Sequence, residues 1–157
     1  MKEIERKFLL RDGYEIDKLL YTKMSNIKDI YLNKNIRIRN KDNDSVWIIT
    51  IKSSGDIERD EYEMPILVEP KFENIPPLEK IRLEIPYLHQ KFEINIFKHI
   101  YFKGKPLILI EIELASKDTS LNLPEWVGQE VTYDTRFYGC ELANFLKFQE
   151  FSVVKIK

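Results

Sequence analysis

Ionisable residues in this chain recur as like-signed pairs two positions apart. Glu3 and Glu5 form one pair, with Lys7 next in the same register, and Arg37/Arg39, Glu61/Glu63, Lys80/Arg82 and Glu111/Glu113 follow. Lys52 ends a segment whose opposite face carries Trp47, Ile49 and Ile51. Residues two apart share a face of a β-strand, so each pair presents one kind of chemistry from one face. Carboxylates are hard oxygen ligands for a divalent cation such as Mg²⁺, which takes one or two of them alongside waters and substrate phosphates. Arginine offers a planar fork, and lysine a point charge, to the oxygens of an anion. Solvent-facing strands also carry charge. A face selected for stability alone mixes its signs, however, because like charges two apart repel.

The elements that must position these residues are mostly strands. Segments 2–10, 35–40, 45–53, 58–66, 79–87, 90–98, 100–103 and 106–115 are rich in Ile, Phe, Tyr, Leu and Val, and several alternate apolar with charged residues. Turn chemistry separates them at Lys41-Asp42-Asn43-Asp44, Ser53-Ser54-Gly55-Asp56 and Lys103-Gly104-Lys105-Pro106. Helical spacing of Ile16, Leu19, Leu20 and Met24 predicts a helix over 14–24. Leu142, Phe145, Leu146 and Gln149 predict another over 138–149. Segment 67–78, with Pro70, Pro76 and Pro77, reads as a loop within a single domain spanning 1–157. About eight strands with short connections point to a sandwich or barrel.

Composition narrows the function. Lys and Arg number 25 against 26 Asp and Glu, so the basic excess of a general nucleic-acid binder is missing. Cys140 is the only cysteine, which rules out an intramolecular disulfide, and with His89 and His99 it cannot build a Cys/His zinc site. The five glycines are scattered, with no phosphate-cradling loop, and no Ser-His-Asp arrangement is evident. The opening Met1-Lys2-Glu3-Ile4-Glu5 has no apolar signal region, and no apolar run approaches the roughly 20 residues of a membrane span. The expectation is a cytoplasmic protein with neither membrane nor nucleic acid as partner. If the sheet closes, an interior of about eight strands holds side chains or one small ligand. Charge there is costly unless it is paired or binds ions. Carboxylates for a metal and bases for an anion would divide that interior between two jobs, and a triphosphate calls on both.

The opening Glu3-Ile4-Glu5-Arg6-Lys7-Phe8-Leu9 resembles the E-x-E-x-K signature of the CYTH superfamily, the triphosphate tunnel metalloenzymes. Tyr31-Leu32, Arg37-Ile38-Arg39, Thr50-Ile51-Lys52, Glu61-x-Glu63 and Lys80-Ile81-Arg82 follow in that family's order. Glu93-Ile94-Asn95-Ile96-Phe97, Glu111-Ile112-Glu113, Trp126 to Thr132 and Asp134-Thr135-Arg136-Phe137 complete a resemblance covering essentially the whole chain. It implies an α+β, mainly β fold: a closed eight-stranded antiparallel β-barrel, the triphosphate tunnel, with a few outer helices. It implies Mg²⁺ or Mn²⁺ held by Glu3, Glu5, Glu111 and Glu113, with Glu61 and Glu63 as similar candidates; Glu61, Glu63 or Glu113 could orient the attacking water. The phosphates would be held by Lys7, Arg37, Arg39, Lys52, Lys80 and Arg82, with Arg59 and Arg136 as further contacts. In part of the family the motif lysine is paired with a tyrosine, here Lys7 with Tyr31.

The implied activity is hydrolysis of inorganic triphosphate. Alternatives are a nucleoside triphosphate enzyme (a phosphatase or an adenylate cyclase), a thiamine triphosphatase, and a non-catalytic polyphosphate binder. An exposed barrel edge or the C-terminal helix could support a homodimer. Two positions depart from the family pattern. Asn95 stands where an acid is frequent, and Gly139 stands where many relatives have Asn. Trp126, after Pro124, reads as a packed aromatic.

Overall fold

The computed structural model describes residues 1–148 and the backbone of 154–156. Eight strands follow in chain order: β1 (Lys2–Leu10), β2 (Lys23–Asn33), β3 (Ile36–Lys41), β4 (Trp47–Lys52), β5 (Glu58–Ile66), β6 (Leu78–Tyr87), β7 (Gln90–Phe102) and β8 (Lys105–Glu113). They pair in the order β7-β6-β2-β3-β4-β5-β1-β8, and β8 pairs back onto β7, so the antiparallel sheet closes into a barrel. One edge of β1 lies along β8, from Glu5 opposite Glu113 to Leu9 opposite Leu109. Its other edge is shared by β5, at Lys2 to Ile4, and by the short β9 (Val127–Glu130), at Phe8 and Leu10. The short β10 (Val154–Ile156) adds in parallel to β7.

The strand period sorts each chain segment between the interior and an outer layer. On β8, Leu107, Leu109, Glu111 and Glu113 share one face and Ile108, Ile110 and Ile112 the other. The outer apolar face joins Ile4, Phe8, Leu83, Ile85, Phe92, Ile94, Ile110 and Ile112 into a core, covered by Ile16, Leu19, Leu121 and Trp126. Trp126 lies edge-on to the buried Phe92, at 5.4 Å between centroids, so its packing role is as expected. A smaller outer cluster joins Ile30, Ile38 and Trp47, with Ile75 of the 67–77 loop folded over it.

The inward face changes character along the barrel. Beyond the charged stretch it turns apolar, at Leu78, Phe97, Leu107 and Leu109. There it meets Phe137 and the buried Leu142, Ala143 and Leu146 of helix α1 (Gly139–Phe148). This helix therefore seals one end of the barrel. Asp134 accepts from the Arg136 amide to start the 3₁₀ turn Thr135–Phe137 that leads into it. Among the described residues no helix is long and apolar enough to cross a membrane.

Three expectations are corrected. Segment 14–24 is no helix: a 3₁₀ turn, Ile16–Lys18, is followed by β2 from Lys23. A helix there would bury little with Leu20, which is 91 % exposed. From Ser25 the side chains instead alternate with period two, and the backbone hydrogen bonds go to β3 and β6. Segments 90–98 and 100–103 form a single strand with an irregularity at His99, whose φ is +65°. Among the described residues the "few outer helices" are one α-helix and two 3₁₀ turns, and Gln149 lies outside them. His89 sits with Leu88 at positive φ in the β6–β7 turn, a conformation histidine tolerates better than most residues, and so both histidines serve the chain's bends.

Candidate active site

The barrel encloses a cavity of about 520 Å³ lined by the charged pairs. Glu3, Glu5, Lys7, Tyr31, Arg37, Arg39, Lys52, Arg59, Glu61, Glu63, Lys80, Arg82, Glu111 and Glu113 all reach it. Arg136 is not among the lining residues. It chelates Asp134 at 2.7 Å and lies over the Phe137 ring beside the helix entrance.

The bases are organised by a residue that the sequence pattern did not single out. Asp29, on β2, is 0 % exposed. Arg39 donates to it through both Nε and Nη2, at 2.7 and 2.8 Å. Arg37 Nε and Lys80 Nζ stand 4.0 and 3.9 Å from its oxygens. Burial pushes the Asp29 carboxyl up, but Arg39, Arg37 and Lys80 outweigh that and hold it well below the usual carboxylate range. Two guanidinium groups and the Lys80 amine thus surround one carboxylate, leaving a surplus of positive charge facing the cavity. Arg37 Nη2 also donates to Thr50 Oγ1, while its buried Nε, 4.0 Å from Asp29 Oδ1, makes no hydrogen bond. Lys80 is pushed down to about 7 by burial and by Arg82 and Arg39, so an incoming anion is what would hold it charged.

The carboxylates gather on β1, β5, β7 and β8. Lys52 Nζ ties Glu3 (2.8 Å) to Glu61 (2.9 Å), and Arg59 reaches Glu3 at 3.3 Å. Deeper in, Glu5 and Glu111 hydrogen-bond to each other. Burial and the neighbouring Glu111 charge raise Glu5 to about 8, so this pair shares a proton. Glu113 is raised by burial and by Glu3, Glu61 and Glu93. Glu63, exposed, accepts from Thr50 Oγ1 at 3.3 Å.

Among the described residues no three His, Cys, Asp or Glu side chains are already gathered for a metal ion. Mg²⁺ and Mn²⁺ do not require this, since substrate phosphates and waters fill most of their coordination sphere. An all-oxygen pair of buried carboxylates held together by one proton suits a hard divalent cation, which can take that proton's place. The chemistry of these residues fits such an ion, which Glu5 and Glu111 would be placed to hold.

Lys7 and Tyr31 both line the cavity toward its sealed end. Lys7 Nζ donates to Phe137 O at 3.2 Å and lies 5.8 Å from the Tyr138 ring centroid. The Tyr31 hydroxyl abuts Gly139, where a Cβ would lie 2.8 Å from Tyr31 Cζ and closer still to its hydroxyl. Burial and Asp29 raise Tyr31 to about 12. The departure at Gly139 thus has a steric reason: this position admits no side chain while Tyr31 holds its place. Tyr138 donates to Asp56 Oδ1 at 2.8 Å, joining the start of α1 to the β4–β5 loop across the cavity's rim.

The CYTH domain model matches residues 1–138. The chain belongs to the CYTH family. Its domain is 34 % identical to the inorganic triphosphatase of Nitrosomonas europaea, across 91 % of this chain and 97 % of that protein. It is 30 % identical to the inorganic triphosphatase of Acetivibrio thermocellus, across 90 % and 92 %. The crystal structure of the inorganic triphosphatase NE1496 superposes on this CYTH barrel with a TM-score of 0.58 at 28 % identity, covering 90 % of this chain and 93 % of that one.

Besides Asp29, spacing alone missed Glu93 as a lining residue. Glu93 belongs to no pair of like charges, and the side chain two positions on is the neutral Asn95. Asp29 stands two positions before Tyr31, a period-two relation that becomes visible only once 23–33 is read as a strand.

Proposed function

We propose that this CYTH domain hydrolyses inorganic triphosphate in its tunnel, using Mg²⁺ or Mn²⁺. The observation that carries the reading is the partition of the interior. Arg37, Arg39 and Lys80 crowd around Asp29 on one wall, and Glu5, Glu111 and Glu113 face them from the other. A phosphate chain carries enough negative charge for the basic wall, and its remaining oxygens can share a cation with the acidic one.

Arg37 and Arg39 grip the phosphates in a fixed register, because Asp29 and Thr50 hold their guanidinium groups before the ligand arrives. Lys80 and Arg82 extend the grip, and Lys7, beside Tyr31, binds the end of the chain nearest α1. Phosphoryl transfer needs in-line placement and charge neutralisation more than covalent help from the protein. Held by Glu5 and Glu111, with Glu3 and Glu113 beside them, Mg²⁺ or Mn²⁺ would neutralise phosphate oxygens and lower the pKa of water. Glu61 is neutralised by Lys52 and serves to hold that wall. Glu113 has its basicity raised by burial and by Glu3, Glu61 and Glu93, which suits it to take the proton of an attacking water. Tyr31, the aromatic that sequence reading offers for a nucleobase, packs against the apolar cluster at α1. This favours inorganic triphosphate over a nucleotide.

The test is incubation with tripolyphosphate, and separately ATP, in Mg²⁺, Mn²⁺ or EDTA, measuring phosphate, pyrophosphate and cyclic AMP. EDTA-sensitive phosphate release from tripolyphosphate, with little product from ATP, is expected. Tight tripolyphosphate binding without any product would overturn the enzyme reading.

A further inference from the structure

Asn95 lies on the inward face of β7 and is 0 % exposed. Its Oδ1 accepts from Arg82 Nε at 2.8 Å, and its Nδ2 donates to Glu111 Oε1 at 2.7 Å. The backbone carbonyls of Leu109 and Glu93 stand 3.4 and 3.5 Å from the same nitrogen. The orientation of the amide is forced. A guanidinium can only donate, and carbonyls and an ionised carboxylate can only accept, so the oxygen must face Arg82 and the nitrogen Glu111. Arg82 is held from its other side by Glu93, at 2.6 Å.

Resting on the triphosphatase site described above, we propose that Asn95 is a positioning residue. It locks the phosphate-holding Arg82 to the cation-holding Glu111 through a neutral amide, so that this part of the site is assembled before any metal binds. An acid of the same size could still accept from Arg82. It would have nothing to donate to Glu111 once both acids are ionised, and two carboxylates at this separation in a buried site need a proton or a metal cation between them, of which only the cation is at hand at alkaline pH. The amide N–H does that work here. The neutral residue therefore sets how much of the site's assembly depends on metal.

The experiment compares thermal unfolding of the wild type and of Asn95→Asp at pH 8.5, each in EDTA and in Mn²⁺, without substrate. In EDTA the variant should unfold roughly 5–10 °C below wild type. It should recover most of that loss in Mn²⁺, with Mn²⁺ affinity by calorimetry raised about tenfold. Asn95→Leu, which removes both bonds without adding charge, should gain no such metal dependence and should bind tripolyphosphate in EDTA severalfold more weakly. Equal Mn²⁺ stabilisation and equal Mn²⁺ affinity in wild type and Asn95→Asp would overturn the proposal. Should Asn95→Asp fail to fold in either medium, combining it with Glu111→Gln decides. The glutamine amide can donate to the new carboxylate, so the double variant should fold without metal, and failure to do so sinks the idea. None of these readouts needs turnover, so they can fail while the triphosphatase reading stands, and the reverse.

Discussion

Asp29→Asn removes the charge that three cations share while keeping the side chain's size. In the wild type the Asp29 carboxylate is fully buried and doubly bonded to Arg39, with Arg37 and Lys80 in range. Removing one partner of a buried ion pair costs roughly 3–5 kcal/mol. The side chains of Arg37 and Arg39 remain 14 % and 16 % exposed toward the cavity, so water can recover part of that loss. The expected cost is thus about 3 kcal/mol, at the low end of that range. For a chain of this size, each kcal/mol lowers Tm by roughly 2–4 °C, giving a fall of roughly 6–12 °C. Tripolyphosphate in EDTA should restore more stability to the variant than to the wild type, because its charge replaces the missing carboxylate. The pH dependence follows from the same contacts. Asp29 has a depressed folded-state pKa, so its contribution is present above the ordinary 3.8 and is lost as pH falls below it. The variant should lack that part of the acid loss. Scanning calorimetry with and without tripolyphosphate is the assay. A Tm within about 1 °C of wild type, or a ligand-induced rise no larger than the wild type's, would refute the view that Asp29 organises the basic wall.

Three further outcomes are expected. Gly139→Ala should push Tyr31 out of place, lowering kcat for tripolyphosphate by up to about 100-fold with KM nearly unchanged; unaltered steady-state kinetics would remove Tyr31 from the site. Because Glu5 is raised to about 8 from the ordinary 4.5, its contribution to the metal-free barrel is present below 4.5 and lost as pH rises through about 8. Mn²⁺ binding at neutral pH should accordingly release close to one proton and tighten as pH rises, which calorimetry in buffers of different ionisation enthalpy measures. Phe92→Ala empties a fully buried site against Trp126 and Tyr87 and should cost roughly 3–5 kcal/mol in urea unfolding, with tripolyphosphate kinetics intact in the fraction that is folded.

Much of the site was legible because strand alternation is a local signal. Glu3/Glu5, Arg37/Arg39, Lys80/Arg82 and Glu111/Glu113 each needed only a period of two to be placed on one face, and all of them line the cavity. The barrel's eight strands are not the eight that alternation alone delimits. The strand 23–33 was hidden behind a helical spacing of apolar residues, and the continuous β7 was divided at His99. Losing β2 also concealed Asp29, since a lone aspartate in an unassigned segment carries no pattern.

The sequence by itself determined which faces are charged, where the turns fall and which segments alternate, since these depend on neighbours one to four positions apart. Tertiary structure decided what those charges meet. Asp29 and Arg39 lie on strands that follow one another in the chain, but Lys80 reaches Asp29 from β6, the strand paired with the other edge of β2, and Glu111 reaches Asn95 from β8 across its pairing with β7. The ordering of cations around one carboxylate and the proton shared by Glu5 and Glu111 depend on the pairing of strands distant in sequence, and the amide bridge at Asn95 depends on the β7–β8 pairing that closes the barrel. Closure brings groups far apart in sequence within hydrogen-bonding distance and removes the water that would otherwise screen them.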